Sequence, residues 1–298
     1  MTTSIEPVAA LNGWLIVDKP LGLTSAAVVG RVRRACGGVK VGHAGTLDPL
    51  ATGVLPLAIG EATKAMSFVM DGRKAYRFAV HWGEARSTDD AEGTVTDTSP
   101  IRPTGTAIEA ALPAFIGDIV QMPPAYSALK IDGERAYARA RAGETVILAA
   151  RTVHIETLVL IDRPDNATAV FEVGCGKGMY VRALARDLAR RLGTVGFVAT
   201  LRRLRAGPFV EADSIPLDNF LALGHIPRAE RLLPVKAALA DIPAIALTDP
   251  EAEKIRRGQH IRLRHPAPGT VCLTAGDKLV ALAEVEGETA RPKRVFNL

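Results

Sequence analysis

The segment from Tyr76 to Trp82 constrains the fold most. Tyr76, Phe78, Val80 and Trp82 alternate strictly with Arg77, Ala79 and His81. A repeat of two over seven residues puts every large apolar group on one side, which a strand satisfies and a helix does not. Residues 13–18 read as a short apolar strand closed by Lys19-Pro20, and 152–162 and 168–175 as two more strands joined at Arg163-Pro164-Asp165-Asn166. A helix capped by Thr24 or Ser25 carries Val28, Val29 and Val32 on one face and Arg31, Arg33 and Arg34 on the other, with Gly37-Gly38 as its stop. A second helix carries Val181, Leu184, Leu188 and Leu192 and stops at Gly193. Strands and helices interleave without a regular strand–helix–strand repeat, so the class is α+β with a mixed sheet.

A length of 298 residues allows roughly two domains. Residues 211–246 hold four prolines with weak periodicity and read as a linker region. Beyond it, Thr248-Asp249-Pro250-Glu251 is a capping box with proline in the first turn, and Gly258 ends that helix. Apolar runs at 270–273 and 279–285 flank Ala275-Gly276-Asp277 as a hairpin, and a last run ends at Val295-Phe296. The expected division is a large domain over 1–240 and a small β-rich one over 241–298.

Several function classes drop out early. Cys36, Cys175 and Cys272 lie too far apart for a disulfide framework or a paired-cysteine metal site. No apolar run approaches the ~18 residues of a membrane span, and Met1 to Ala10 lacks a signal pattern, so the cytoplasm is the expected compartment. Gly174-Cys175-Gly176-Lys177-Gly178 fits neither established phosphate-loop spacing. His154-Ile155-Glu156 opens a zinc-deaminase signature whose cysteine half is missing. The six histidines are scattered, so neither a metal nor a cofactor is expected.

The densest unusual stretch is Gly42-His43-Ala44-Gly45-Thr46-Leu47-Asp48-Pro49-Leu50-Ala51-Thr52-Gly53-Val54-Leu55-Pro56-Leu57. Its glycines and prolines suggest a tight loop around one carboxylate. Spacing alone favours a helix start, with Asp48 as cap and Pro49 in the first turn. A glycine-lined loop that lets a large ligand approach the backbone is the functional reading.

That string resembles the catalytic-aspartate motif of the TruB family, the tRNA pseudouridine-55 synthases. Other blocks follow in the family's order. Asp18-Lys19-Pro20-Leu21-Gly22-Leu23-Thr24-Ser25 is similar to the N-terminal motif, Lys74-Ala75-Tyr76 to the tyrosine motif, and Ser87-Thr88-Asp89-Asp90-Ala91-Glu92-Gly93 to the acidic segment after it. Pro123 to Lys130, Cys175 to Arg182 and Leu201-Arg202-Arg203 match later blocks, so the resemblance covers about 13–210. The tail resembles, more weakly, the small PUA-like RNA-binding domain of bacterial members.

The resemblance implies a mixed-sheet pseudouridine synthase domain that isomerises a uridine in the TΨC stem-loop of tRNA. It implies no cofactor, no obligatory protein partner and a monomer. Asp48 is the implied catalytic carboxylate, acting on sugar C1′, base C6 or a sugar proton. Arg182 would pair with it, and Tyr76 would stack on the flipped base and accept the C5 proton. Tyr180 and Leu201 would wall the pocket, His43 would stack in the RNA loop, and Lys19 and Lys130 either contact phosphates or are solvated. Residues 121–150 match the insertion that stand-alone members use to grip the RNA arm.

Charge supports an RNA partner independently. Arg182, Arg186, Arg190, Arg191, Arg202, Arg203 and Arg205 face Asp187 alone between 182 and 205, which reads as a phosphate track. Arg256, Arg257, Arg262 and Arg264 repeat the pattern in the tail. Three alternatives carry less. A guide-RNA-dependent relative would not keep the 121–150 insertion. A binding module without catalysis would not keep Asp48, Tyr76 and Arg182 together. A glycoside hydrolase would need a second carboxylate ~5–10 Å from Asp48.

Overall fold

The computed structural model describes residues 11–124, 126, 130–131, 134–135, 148–264 and 266–298. Chain order begins with β1 (Gly13–Lys19), α1 (Ser25–Ala35), β2 (Val41–His43), β3 (Ala51–Ile59), α2 (Met66–Asp71) and β4 (Lys74–Trp82). A small hairpin β5–β6 (Glu84–Arg86, Val95–Thr98), α3 (Gly105–Ala111), β7 (Gly117–Gln121) and the pair β8–β9 (Lys130–Ile131, Glu134–Arg135) follow. Then come β10 (Arg151–Asp162), β11 (Thr168–Cys175), α4 (Val181–Arg191), β12 (Gly196–Ala206), β13 (Phe209–Val210) and β14 (Ile215–Pro216). Ten strands form one mixed sheet in the order β14-β1-β3-β12-β4-β11-β10-β7, with β2 on β3 and β13 on β12. The α+β class is as read.

β4 holds the middle of that sheet because its alternation allows it. Phe78, Val80 and Trp82 are buried on one face, where Phe78 stacks on Phe171 at 5.4 Å and Trp82 meets the same ring edge-on at 6.2 Å. Both amphipathic helices share this core: Val28 and Val32 of α1, and Leu184 and Leu188 of α4. Thr24 caps α1 by accepting from the Ala27 amide at 3.1 Å. Two expectations do not survive, and one strand was not foreseen. No helix starts at Asp48-Pro49; the chain enters β3, a nine-residue strand holding Gly53 and Pro56. β12 is an unforeseen strand whose arginines mask its period. Residues 211–246 are not a linker. Ile215 pairs with Val17 at the sheet edge, Leu217 and Phe220 are buried, and Leu233 bridges to Trp14.

The tail forms its own five-stranded sheet, β15-β17-β18-β19-β16, from Ala244–Ala246, Gly269–Ala275, Lys278–Glu286, Thr289–Val295 and Ile261–Arg262. Its helix α7 (Asp249–Arg256; α5 and α6 are Leu217–Ala222 and His225–Glu230) keeps the expected capping box, with Glu251 accepting from the Thr248 amide at 2.8 Å. The hairpin turns at Gly276, whose positive φ of 56° suits glycine. Leu279, Leu282 and Phe296 of this unit join Trp14, Ile16, Val54, Ala58 and Val69 in a core on the opposite side of the large sheet. Lys64 fastens the joint, donating to the Val295 carbonyl at 2.7 Å. The tail is therefore part of the main unit's packing.

Candidate active site

Asp48 lies in the loop between β2 and β3, and the loop's backbone is held along its length. Arg203 donates to the Gly45 and Thr46 carbonyls at 3.1 and 3.4 Å. The Ser25 hydroxyl accepts from the Leu47 amide at 2.8 Å and donates to the Leu47 carbonyl at 3.0 Å. The Asp48 carbonyl accepts from the Ala51 amide at 3.0 Å, and the Pro49 carbonyl from the Gly22 amide at 2.9 Å. Five consecutive carbonyls are thus engaged, which fixes the backbone beneath a carboxylate that stays partly open, its side chain 38% exposed.

Arg182, in the first turn of α4, meets that carboxylate at 2.9 Å and is itself almost wholly buried. Its other contacts are the Thr88 carbonyl at 3.0 Å, the Tyr126 carbonyl at 2.8 Å and Asp90 at 3.6 Å. Asp90 is buried and oriented in turn by the Thr88 hydroxyl and the Glu92 amide. One guanidinium therefore spans two carboxylates, only one of which faces outward. Arg186, one turn on, holds Asp89 at 2.8 Å. Asp89 sits at a positive φ of 60°, and burial pushes its carboxyl up despite that partner.

Tyr76 lies opposite Arg203 in the β4–β12 register, and Leu201 lies opposite Phe78 two residues away. The cross-strand pairing puts Tyr76, Phe78, Leu201 and Arg203 on one face of the sheet. Burial raises the Tyr76 phenol, nearby Asp48 adds to this, and the Arg203 guanidinium facing the hydroxyl opposes it. Leu201 is buried on β12, with Ala51 as its partner on β3. Tyr180 caps α4, its backbone amide and carbonyl both paired with the Gln121 side chain, at 2.8 and 3.1 Å. His43 ends β2, half-buried and in register with Leu57. Asp48, Arg182 and Tyr76 thus converge, with Leu201 on the Tyr76 face of the sheet. The Lys130 side chain and most of the 121–150 insertion lie outside the described residues.

Lys19 does something other than bind phosphate. Its side chain is fully buried and its ammonium donates inward to the carbonyls of Pro20, Leu23 and Pro49, at 2.9, 2.7 and 3.3 Å. It braces the far end of the Asp48 loop. Burial lowers the ammonium to about 8 from its ordinary 10.5, with Asp48 and Glu92 opposing the shift. Between these values the unfolded chain holds a proton the folded one has released, so stability rises with pH there. Relative to Lys19→Met, the native protein should therefore gain stability from pH 8 to about 10.5 in urea unfolding. A parallel pH dependence for the two proteins would refute this.

The motif glycines also have uses within the protein itself. A Cβ at Gly42 would meet the Met66 sulfur at 2.8 Å, one at Gly45 the Arg203 guanidinium at 3.4 Å, and one at Gly53 the Arg203 carbonyl at 2.3 Å. Of the three, only Gly53 faces a backbone clash, with β12; Gly45 would make an ordinary contact, and its positive φ of 112° is what calls for glycine. The arginine run is not a phosphate track either. Arg182 and Arg186 pair with Asp48, Asp90 and Asp89, while Arg202 pairs with Asp18 at 3.0 Å and with Glu211. Arg203 is buried. Only Arg190, Arg191 and Arg205 of that run stay exposed. Asp90, Ser25 and Arg203 are the site residues that spacing did not reveal. Ser25 meets Leu47 22 residues on, Arg203 meets Gly45 158 residues back, and Asp90 meets Arg182 from a separate element.

Two family profiles match the sequence. "TruB family pseudouridylate synthase (N terminal domain)" covers residues 33–181, and "tRNA pseudouridylate synthase B C-terminal domain" covers 182–240. The chain belongs to the TruB family. It is 56% identical to the tRNA pseudouridine synthase B of Bradyrhizobium diazoefficiens, over 97% of this chain and 86% of that one. With the tRNA pseudouridine synthase B of Rhodospirillum rubrum it shares 53% identity over 97% of both chains. Among solved structures, a chain of a Cbf5-Nop10-Gar1 complex superposes with a TM-score of 0.74 at 23% identity, over 96% of this chain and 85% of that one. That last likeness is one of fold.

Proposed function

We propose that this TruB-family chain isomerises uridine 55 in the TΨC loop of tRNA to pseudouridine, with Asp48 as the reacting carboxylate. The observation that carries the reading is the Arg182–Asp48 pair. A buried guanidinium aims one partly open carboxylate from a loop with five consecutive carbonyls tied down. Such a group needs no reorganisation when charge develops beside it. The reaction breaks the N1–C1′ bond, turns the base and joins C5 to C1′. The C5 proton leaves and N1 gains one, so substrate and product are isomers and no redox partner enters.

In this reading Tyr76 stacks on the flipped base and accepts the C5 proton. Leu201 closes the apolar wall, and Tyr180 and His43 contact the RNA around the pocket. The relatives' shared name supports tRNA as the substrate. The division into a catalytic unit over 1–240, with its RNA-gripping insertion at 121–150, and a PUA-like RNA-binding unit over 241–298 belongs to the same proposal. So do action as a cytoplasmic monomer without an obligatory protein partner, and Lys130 as a phosphate contact.

Tritium release from unmodified tRNA transcript labelled at uridine C5 tests this. The purified protein alone should release label from one TΨC-loop uridine. Tight, salt-sensitive tRNA binding with no release would favour the binding-module or guided-complex reading instead.

A further inference from the structure

Arg203 is among the largest wholly buried side chains, yet no described carboxylate pairs with it. An isolated buried guanidinium is costly unless its donors are well used. Here Nε donates to the Val54 carbonyl at 2.7 Å, Nη2 to Gly45 at 3.1 Å and Nη1 to Thr46 at 3.4 Å, while the group faces the Tyr76 hydroxyl. Its neighbour Arg202 is the useful contrast. On the other face of β12, Arg202 forks onto both oxygens of Asp18 and also reaches Glu211, an ordinary acid-paired arginine. The chain also gives up a side chain where the Arg203 backbone passes Gly53, whose Cβ would meet the Arg203 carbonyl at 2.3 Å. Gly45, at a positive φ of 112°, lies under the guanidinium, and Gly53, at 94°, lies against the Arg203 backbone.

We propose that Arg203 is a positioning residue, one planar fork that sets the Asp48 loop and the Tyr76 hydroxyl at a fixed relation across the pocket. It touches neither the reacting carboxylate nor the space above it; it acts through Gly45, Thr46 and Tyr76. Lysine could keep the charge but not span these groups, since one ammonium cannot present donors in three fixed in-plane directions. A misplacement of about 1 Å costs on the order of a hundredfold in rate. The inference rests on Asp48 and Tyr76 being the reacting pair.

The test compares Arg203→Lys, Arg202→Lys and Asp48→Asn by single-turnover rate at saturating tRNA, tRNA Kd and Tm. Arg203→Lys should lower the rate about a hundredfold while Kd holds, and Arg202→Lys should leave the rate near native. In a Tyr76→Phe background, where the hydroxyl is gone, the cost of Arg203→Lys should shrink, because the two residues act as a unit. An unchanged rate, or a loss that adds in full to that of Tyr76→Phe, would overturn the proposal. Should Arg203→Lys not fold, Arg203→Gln keeps a shorter planar donor in place of the fork and should show the same fall in rate at constant Kd; a native rate overturns it equally. An active Asp48→Asn would instead sink the underlying assignment of Asp48.

Discussion

Replacing Arg182 with methionine should cost the protein both its turnover and a large part of its stability. The side chain is almost wholly buried and joins Asp48, Asp90, the Thr88 carbonyl and the Tyr126 carbonyl. Removal leaves Asp90 as a buried carboxylate with no counter-ion among the described residues, and breaking a buried pair in this way costs about 3–5 kcal/mol. Asp48 would lose the group that aims it, and losing one preorganised electrostatic partner typically costs about 10²–10³ in rate. Urea unfolding and single-turnover tritium release read the two effects separately. Arg182→Lys should recover part of the stability, since it restores a charge near Asp90. It should recover little of the rate, because a point charge cannot hold the forked geometry. Native activity in either variant would show that the pair is structural only. A companion change, Asp90→Asn, removes the second carboxylate while keeping its shape. The guanidinium would then be held by Asp48 and two carbonyls, with a smaller fall in rate.

How far the sequence reveals this molecule depends on where each residue's partner sits. β4 was legible because its constraint is local: alternation over seven residues reports a covered face whatever covers it. The caps at Thr24 and Thr248 were legible for the same reason, since each bond closes within three residues. β3 was not, because Gly53 and Pro56 punctuate it like a loop. Yet Gly53 is there for the close approach of β12, and Pro56 lies in the β1–β3 ladder. β12 was hidden by its arginines, which look like solvated or phosphate-binding charge until acids from remote parts of the chain arrive. Asp18 lies 184 residues from Arg202, and Asp89 lies 97 from Arg186. Sign counting along a chain cannot see such pairs.

The candidate site divides in the same way. Asp48, Tyr76 and Arg182 carry the family's motifs, and the fold brings them together. Lys19 carries a motif as strongly, but a motif records that a residue matters and not whether its side chain points outward. The structure turns its ammonium onto three carbonyls, so its value is in bracing the loop. The tail was read correctly as β-rich, but its docking through Leu282 and Phe296 onto the Trp14 core was invisible, since single apolar residues do not announce which sheet they cover. Deleting the tail would therefore expose part of that core, and urea unfolding of the truncated protein, measured beside its tRNA Kd, separates lost stability from lost affinity.

Asp48→Asn tests the central claim most directly. The amide keeps the shape of the carboxylate and removes its charge, and the Asp48 carbonyl's bond from Ala51 involves only backbone. Tritium release in a single turnover, with tRNA Kd measured on the same preparation, should fall about 10⁴-fold or more while affinity stays near native, as expected when the reacting group itself is removed. Release within about tenfold of the native rate, where one factor of ten is about 1.4 kcal/mol of barrier, would contradict the assignment of Asp48 as the reacting carboxylate.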